Sequence, residues 1–138
     1  MDLLKRQNYA SGAPFEDKVG YSRAVKVGNL VIVGGTTSTN SKGDVEGVGD
    51  AYLQTKIILQ KIEEVLKRAG ARMSDVVRVR FYVTDIGKGR EYLKAYSEWF
   101  KSVRPAITMA EVKALARPDH LVEIEAEAVI GSYLVRNS

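Results

Sequence analysis

Apolar and polar positions change their period several times along the chain, and each change marks an element. Tyr21-Ser22-Arg23-Ala24-Val25-Lys26-Val27 and Leu30-Val31-Ile32-Val33 are two β-rich runs separated by Gly28-Asn29. Both loop residues tolerate positive φ, so the pair predicts a two-residue hairpin. The second run is apolar throughout, the pattern of a strand covered on both faces. Before them, residues 1–20 are polar and punctuated by Gly12, Pro14 and Gly20, which reads as a short strand and then a loop. Asp50 is placed to cap a helix running to about Ala69, with Gly70 at its C-terminal stop. Ile58, Ile62, Val65, Leu66 and Ala69 recur at three- and four-residue spacing and give that helix one buried stripe.

Val76 to Val83 predicts the next strand, after a turn at Ser74-Asp75. A second helix is expected from about Gly89, with Tyr92, Tyr96, Trp99, Phe100 and Val103 on one side as core packing. Arg104-Pro105 ends it, because a proline disfavours helical geometry in the residue before it. Ala106 to Val112 and Leu121 to Ile130 predict two more strands, joined by a loop holding Pro118-Asp119-His120, where His120 is expected at the surface. The order is β-β-β-α-β-α-β-β, a single α+β domain over residues 1–138. Helices of this length cover one face of the sheet, and the other face needs water or another subunit.

Alternation within the strands says which side is which. Arg78, Arg80 and Tyr82 share one face of their strand, with Val77, Val79, Phe81 and Val83 opposite. In the last strand Glu123, Glu125 and Glu127 share a face opposite Val122, Ile124, Ala126 and Ala128. The charged sets are expected on the uncovered face, where Arg and Glu of neighbouring strands can pair. Three glutamates beside two arginines disfavour an RNA-binding strip, since mixed charge lacks the phosphate attraction that drives such binding.

Composition narrows the chemistry. The chain has no cysteine and one histidine, which removes disulfides, thiolate sites and any ordinary zinc site. A net charge of +4, with basic and acidic residues interleaved, is mild for a nucleic-acid binder. The stretch Met1-Asp2-Leu3-Leu4-Lys5-Arg6 lacks the apolar core of a signal peptide, and no run approaches the ~20 apolar residues that span a bilayer. A cytoplasmic address without membrane partners is the expectation. Gly34-Gly35 through Gly49 is a polar loop, but it lacks the Gly-Lys-Ser/Thr ending of a phosphate loop.

With these segments in place the whole chain resembles the RidA/YjgF family of reactive-intermediate deaminases. The resemblance is carried by Val19-Gly20-Tyr21-Ser22-Arg23-Ala24-Val25, by Gly28 to Gly35, and by Gln54 with the first helix to Ala69-Gly70-Ala71. Asp75-Val76-Val77-Arg78, Tyr82-Val83-Thr84-Asp85, Arg104-Pro105-Ala106 through Val112, Leu115, and Leu121 to Ala126 continue it in the family's order. It implies a chorismate-mutase-like α+β fold, a six-stranded mixed sheet with two helices on one face. It also implies a homotrimer in a barrel-like assembly, binding a small metabolite in clefts between subunits. Active members hydrolyse enamines and imines such as 2-aminoacrylate to ketoacids and ammonia, without cofactor or metal. Carried over by position, a pocket tyrosine falls on Tyr21, a backbone glycine on Gly35, and the water-orienting glutamate on Glu123.

The family's carboxylate-holding arginine falls on Ile107. An isoleucine cannot pair with a carboxylate, so activity on 2-aminoacrylate-type substrates is expected to be weak or absent. Met109 projects with Ile107 and makes that wall more apolar, while Thr108 projects oppositely. Arg23 is the best substitute cation, on the strand face of Tyr21, whereas Arg104 is expected to point elsewhere. Glu123 has a second reading, as a structural ion-pair partner of Arg78 or Arg80. Two alternatives to metabolite binding stay open: a cofactor-free enamine/imine deaminase using Arg23, and the RNA-binding, endoribonuclease-type translation initiation inhibitor of older family labels.

Overall fold

A computed structural model describes residues 4–135, so the stretch Met1 to Leu3 of the N-terminal reading lies outside the described residues. Six strands form one mixed sheet in the order β1-β2-β3-β6-β4-β5. They are β1 (Arg6–Tyr9), β2 (Ala24–Val27), β3 (Leu30–Thr36), β4 (Val76–Val83), β5 (Ala106–Glu111) and β6 (Val122–Val129). Helix α1 (Ala51–Arg68) follows β3, and helix α2 (Gly89–Phe100) carries the chain from β4 to β5. That last pair is parallel, the geometry that requires such a crossover, and the other pairs are antiparallel.

Local chemistry explains most of these boundaries. The hairpin closes as expected, with Val27 opposite Leu30 and Gly28 at φ 59°. Asp50 caps α1 by accepting a hydrogen bond from the Leu53 N–H at 2.9 Å. Gly70, at φ 84°, ends the helix and donates its N–H to the Lys67 carbonyl. The expected stripe Ile58, Ile62, Val65, Leu66 and Ala69 is buried throughout. Tyr92 and Phe100 are buried with it, and Tyr96 meets Phe81 edge-on at 5.9 Å between ring centroids. Beneath the helices, Val79, Phe81, Val83, Val122, Ile124, Ala126 and Ala128 form the sheet's contribution to the core.

Four departures are informative. A bulge between Val76 and Arg78 gives β4 an extra residue against β6, and Val77 turns out to the surface at 40% exposure rather than into the core. Residues Glu16–Gly20 form a π-helical turn, and the strand expected from Tyr21 is regular only from Ala24. Helix α2 already ends at Phe100, before the expected Arg104-Pro105 stop, and Arg104 itself adopts φ 60°, a left-handed conformation. His120 is not at the surface. It is 3% exposed, packed below the 37–50 connection.

Candidate functional site

The site is built where β3 breaks its ladder. Val33 pairs with Ala126 and Thr36 with Ile124, so Gly34 and Gly35 together face Glu125 in a bulge. Beside that gap, on the face away from the helices, β6 presents Glu123. The carboxylate lies so close that a Cβ built on Gly35 would sit 2.8 Å from Glu123 Oε2. Only glycine leaves this space open, which is the physical reason for Gly35 at this point.

Arg23 reaches the same place from the other side. Its backbone continues the β1–β2–β3 ladder, donating to the Tyr9 carbonyl at 2.8 Å and accepting from the Gly34 N–H at 2.9 Å. Its Nη1 donates to the Gly35 carbonyl and, at 3.2 Å, to Thr36 Oγ1. Arg23, the substitute cation, and the carried-over positions Gly35 and Glu123 therefore lie close together.

The environment of Glu123 is unusual for a sheet-face carboxylate. It is half-buried and has neither a hydrogen-bond nor an ion-pair partner among the described residues. Its neighbours on the strand are occupied. Arg80 lies 3.8 Å from Glu125 and 3.5 Å from Glu127, and the Tyr82 hydroxyl donates to Glu125 at 2.7 Å. The structural ion pair considered for Glu123 is thus made by Glu125 and Glu127 instead. Burial pushes the Glu123 carboxyl above the ordinary range, the Arg23 charge pulls against that, and Glu125 adds to the rise.

Other positions do not converge within one chain. Ile107 is level with Val79 and Met109 with Phe81 in the parallel pairing of β4 and β5. Partners in such a pair point the same way, so both face the helix side of the sheet, opposite Glu123. Met109 packs against the core, and Ile107 stays 41% exposed at the sheet edge. Tyr21 is exposed at 43%, its backbone N–H bonded to the Glu16 carbonyl. Two surface grooves, of about 510 and about 420 Å³, are lined by Arg72, Val77 and Arg104, and by Thr84, Leu115 and Arg117, among others, and neither is bordered by Tyr21, Arg23, Gly35, Ile107, Met109 or Glu123. One chain leaves Glu123 on an open surface.

Sequence reasoning missed the residues that hold the segment behind Gly35. Lys61 Nζ donates to the Thr37 carbonyl at 2.7 Å and also to that of Thr39. His120 Nε2 shares a 2.6 Å hydrogen bond with Thr39 Oγ1. Gln54, fully buried, donates to the carbonyls of Gly47 and Asp119 and accepts from the Leu121 N–H, joining two loops to the core. The signal for Lys61 was available: it sits three residues after Ile58, a polar residue at the spacing of the buried stripe. Among the described residues no group of three or more His, Asp or Glu side chains could hold a metal ion, and no helix is long and apolar enough to cross a membrane.

A mixed six-stranded sheet with two helices on one face and a half-buried carboxylate on the other defines a small α+β protein of the YjgF fold. Residues 13–130 match the family model described as Endoribonuclease L-PSP, and the chain belongs to that family, the RidA/YjgF family. It is 37% identical over 108 residues to a RutC family protein of Pyrococcus abyssi, covering 78% of this chain and 84% of that one. Over 108 residues it is 34% identical to the 3-aminoacrylate deaminase RutC of Acinetobacter baylyi, covering 78% and 85% of the two chains. A crystal structure of a YjgF/YER057c/UK114 family member from Mycobacterium tuberculosis superposes with a TM-score of 0.81 at 46% identity, over 91% of this chain and all of the other.

Proposed function

We propose that this chain binds a small imine-like or carbonyl metabolite at Glu123, in a cleft completed by the exposed Ile107 of a second copy, while Met109 stays with its own core. Hydrolysis of 2-aminoacrylate-type substrates is weak or absent there. The observation that carries the reading is Glu123 itself: a half-buried carboxylate without a partner among the described residues, pressed against a glycine and flanked by one guanidinium. A structural carboxylate in such a place would be paired, as Glu125 and Glu127 are. A carboxylate held free is suited to take a proton from water. Water adds to the C=N carbon, its proton passes through Glu123 to the nitrogen, and collapse of the adduct releases ammonia and a carbonyl. The step draws only on water, and the deaminase among the relatives performs a reaction of this class.

Substrate choice follows from the opposite wall. Ile107 offers no hydrogen bond, and desolvating a carboxylate against it costs several kcal/mol. Arg23 spends Nη1 on Gly35 and Thr36, so it replaces a dedicated bidentate clamp only in part. Uncharged, more apolar imines are therefore favoured. The ribonuclease reading finds little support on the open face, where Arg80 is matched by two glutamates.

The test compares ammonia release from an uncharged aliphatic imine and from freshly generated 2-aminoacrylate, for wild type and Glu123→Gln. The expected result is faster turnover of the uncharged imine, falling by about two decades or more in the variant. Equal turnover in Glu123→Gln would remove Glu123 from the chemistry.

A further inference from the structure

Residues 35–39 are held by side chains from three other parts of the chain. Arg23, before β2, grips the Gly35 carbonyl and the Thr36 hydroxyl. Lys61, on α1, grips the carbonyls of Thr37 and Thr39. His120, in the loop before β6, bonds the Thr39 hydroxyl. Strand pairing alone would not do this, because the β3–β6 ladder is interrupted at Gly34-Gly35 and its last registered pair is Thr36 with Ile124. Lys61 is also an unexpected choice. A half-buried ammonium bonded to backbone carbonyls forms no ion pair among the described residues, and it lies near enough to Arg23 to be repelled by it. The buried imidazole of His120 has its own oddity, since Nδ1 has no hydrogen-bond partner among the described residues. Both residues carry a cost that simple loop anchoring would not require.

We infer that Lys61 and His120 are positioning residues for Glu123: together they seat the 36–39 segment, and through it the Gly35 backbone and Arg23, against the carboxylate. The inference rests on Glu123 being the working group of the site. The coupling is short-ranged. Shifting Thr36 and Thr37 moves the Gly35 carbonyl, which is one of the two anchors of the Arg23 guanidinium, and the Arg23 charge acts on Glu123. His120 serves in its neutral form. Burial lowers its pKa, as do Arg117 and Lys61, while Asp119 opposes them. In the protonated ring Nδ1 would carry an N–H that no group among the described residues accepts, beside those two cations. Glu46, from the connection, and Arg23 are the other charges facing Lys61.

The experiment is a carboxyl ¹³C NMR titration of Glu123 in wild type, Lys61→Met, Lys61→Arg and Thr39→Val. Amide exchange at residues 35–39 is measured on the same samples. In wild type, Glu123 should titrate above an ordinary glutamate. In Lys61→Met the freed segment should admit water and let Arg23 close on Glu123, so its midpoint should fall by about half a unit or more, with exchange at 35–39 faster by about tenfold. Lys61→Arg should restore most of both. Thr39→Val removes the His120 partner while keeping shape and Lys61, so it should shift Glu123 the same way and serves should Lys61→Met fail to fold. An unchanged Glu123 midpoint in a folded Lys61→Met or Thr39→Val protein would overturn the inference, whatever happens to melting temperature. The readout is independent of turnover. A moved midpoint in a protein without imine hydrolysis keeps the positioning role and removes the proposed chemistry, and hydrolysis with an unmoved midpoint does the reverse.

Discussion

Glu123 illustrates how a site residue works against the stability of its own fold. Its pKa is raised in the folded chain, first by burial, so ionising it costs more there than in the unfolded chain. A group with a raised folded pKa contributes stability that is present below its unfolded pKa and lost as pH rises through the folded one. Glu123→Gln should therefore raise the melting temperature at pH 7 by a few degrees, and the gain should vanish below about pH 4, where both states are protonated. Thermal melts at the two pH values check this, and a loss of stability at pH 7 would mean that the carboxylate makes a favourable contact in the fold. The family resemblance pointed to Gly35 and Glu123, and strand alternation from Tyr21 pointed to Arg23 as a substitute cation; the three lie close together in the fold. It did not show that Lys61 and His120 serve the same segment. Both belong to elements distant along the chain, and their partners are backbone carbonyls and a hydroxyl in an irregular loop, groups that leave no periodic signature.

At the scale of elements, the period of the apolar positions was a reliable guide wherever one face of a regular element meets the core. Helix α1 is the clearest case, with its stripe buried and its cap at Asp50. Replacing that cap, Asp50→Ala, should cost about 1 kcal/mol and lower the melting temperature by a few degrees. A denaturant titration measures it, and an unchanged midpoint would mean that the turn closed by the Asp50 N–H on the Gly47 carbonyl, at 2.9 Å, fixes the helix start without the side chain. Alternation failed at Val77, because the bulge in β4 inserts one residue and reverses the side on which it lies. A bulge adds no distinctive residue type, so Val77 reads as one more apolar residue in phase. Arg80, Glu125 and Glu127 behaved as the pattern said, forming a half-exposed ladder worth roughly 0–1 kcal/mol per pair.

For the whole molecule, the uncovered sheet face leaves apolar side chains in the open. Leu30 and Ile32 belong to a run that reads as a strand covered on both sides, yet they are 37% and 45% exposed. Ile107 is exposed on the opposite side of the sheet, at its edge. A ring of copies that lays this edge against a neighbour's open face would bury both and bring Ile107 to Glu123. Sedimentation should give three times the chain mass, and Ile32→Glu should shift it towards one chain. A monomer at micromolar concentration would contradict the assembly and leave Glu123 open to solvent.

Ile107 is the most telling position, because the proposed function turns on an apolar side chain where the family resemblance implies a carboxylate-holding arginine. The direct measurement is ketoacid release from freshly generated 2-aminoacrylate, with wild type beside Ile107→Arg. The account predicts a wild type near the uncatalysed rate and a variant faster by about two decades, the scale of a charge-assisted contact worth a few kcal/mol. A wild type that already turns over 2-aminoacrylate rapidly, with no gain in Ile107→Arg, would contradict it and show that another group holds the carboxylate.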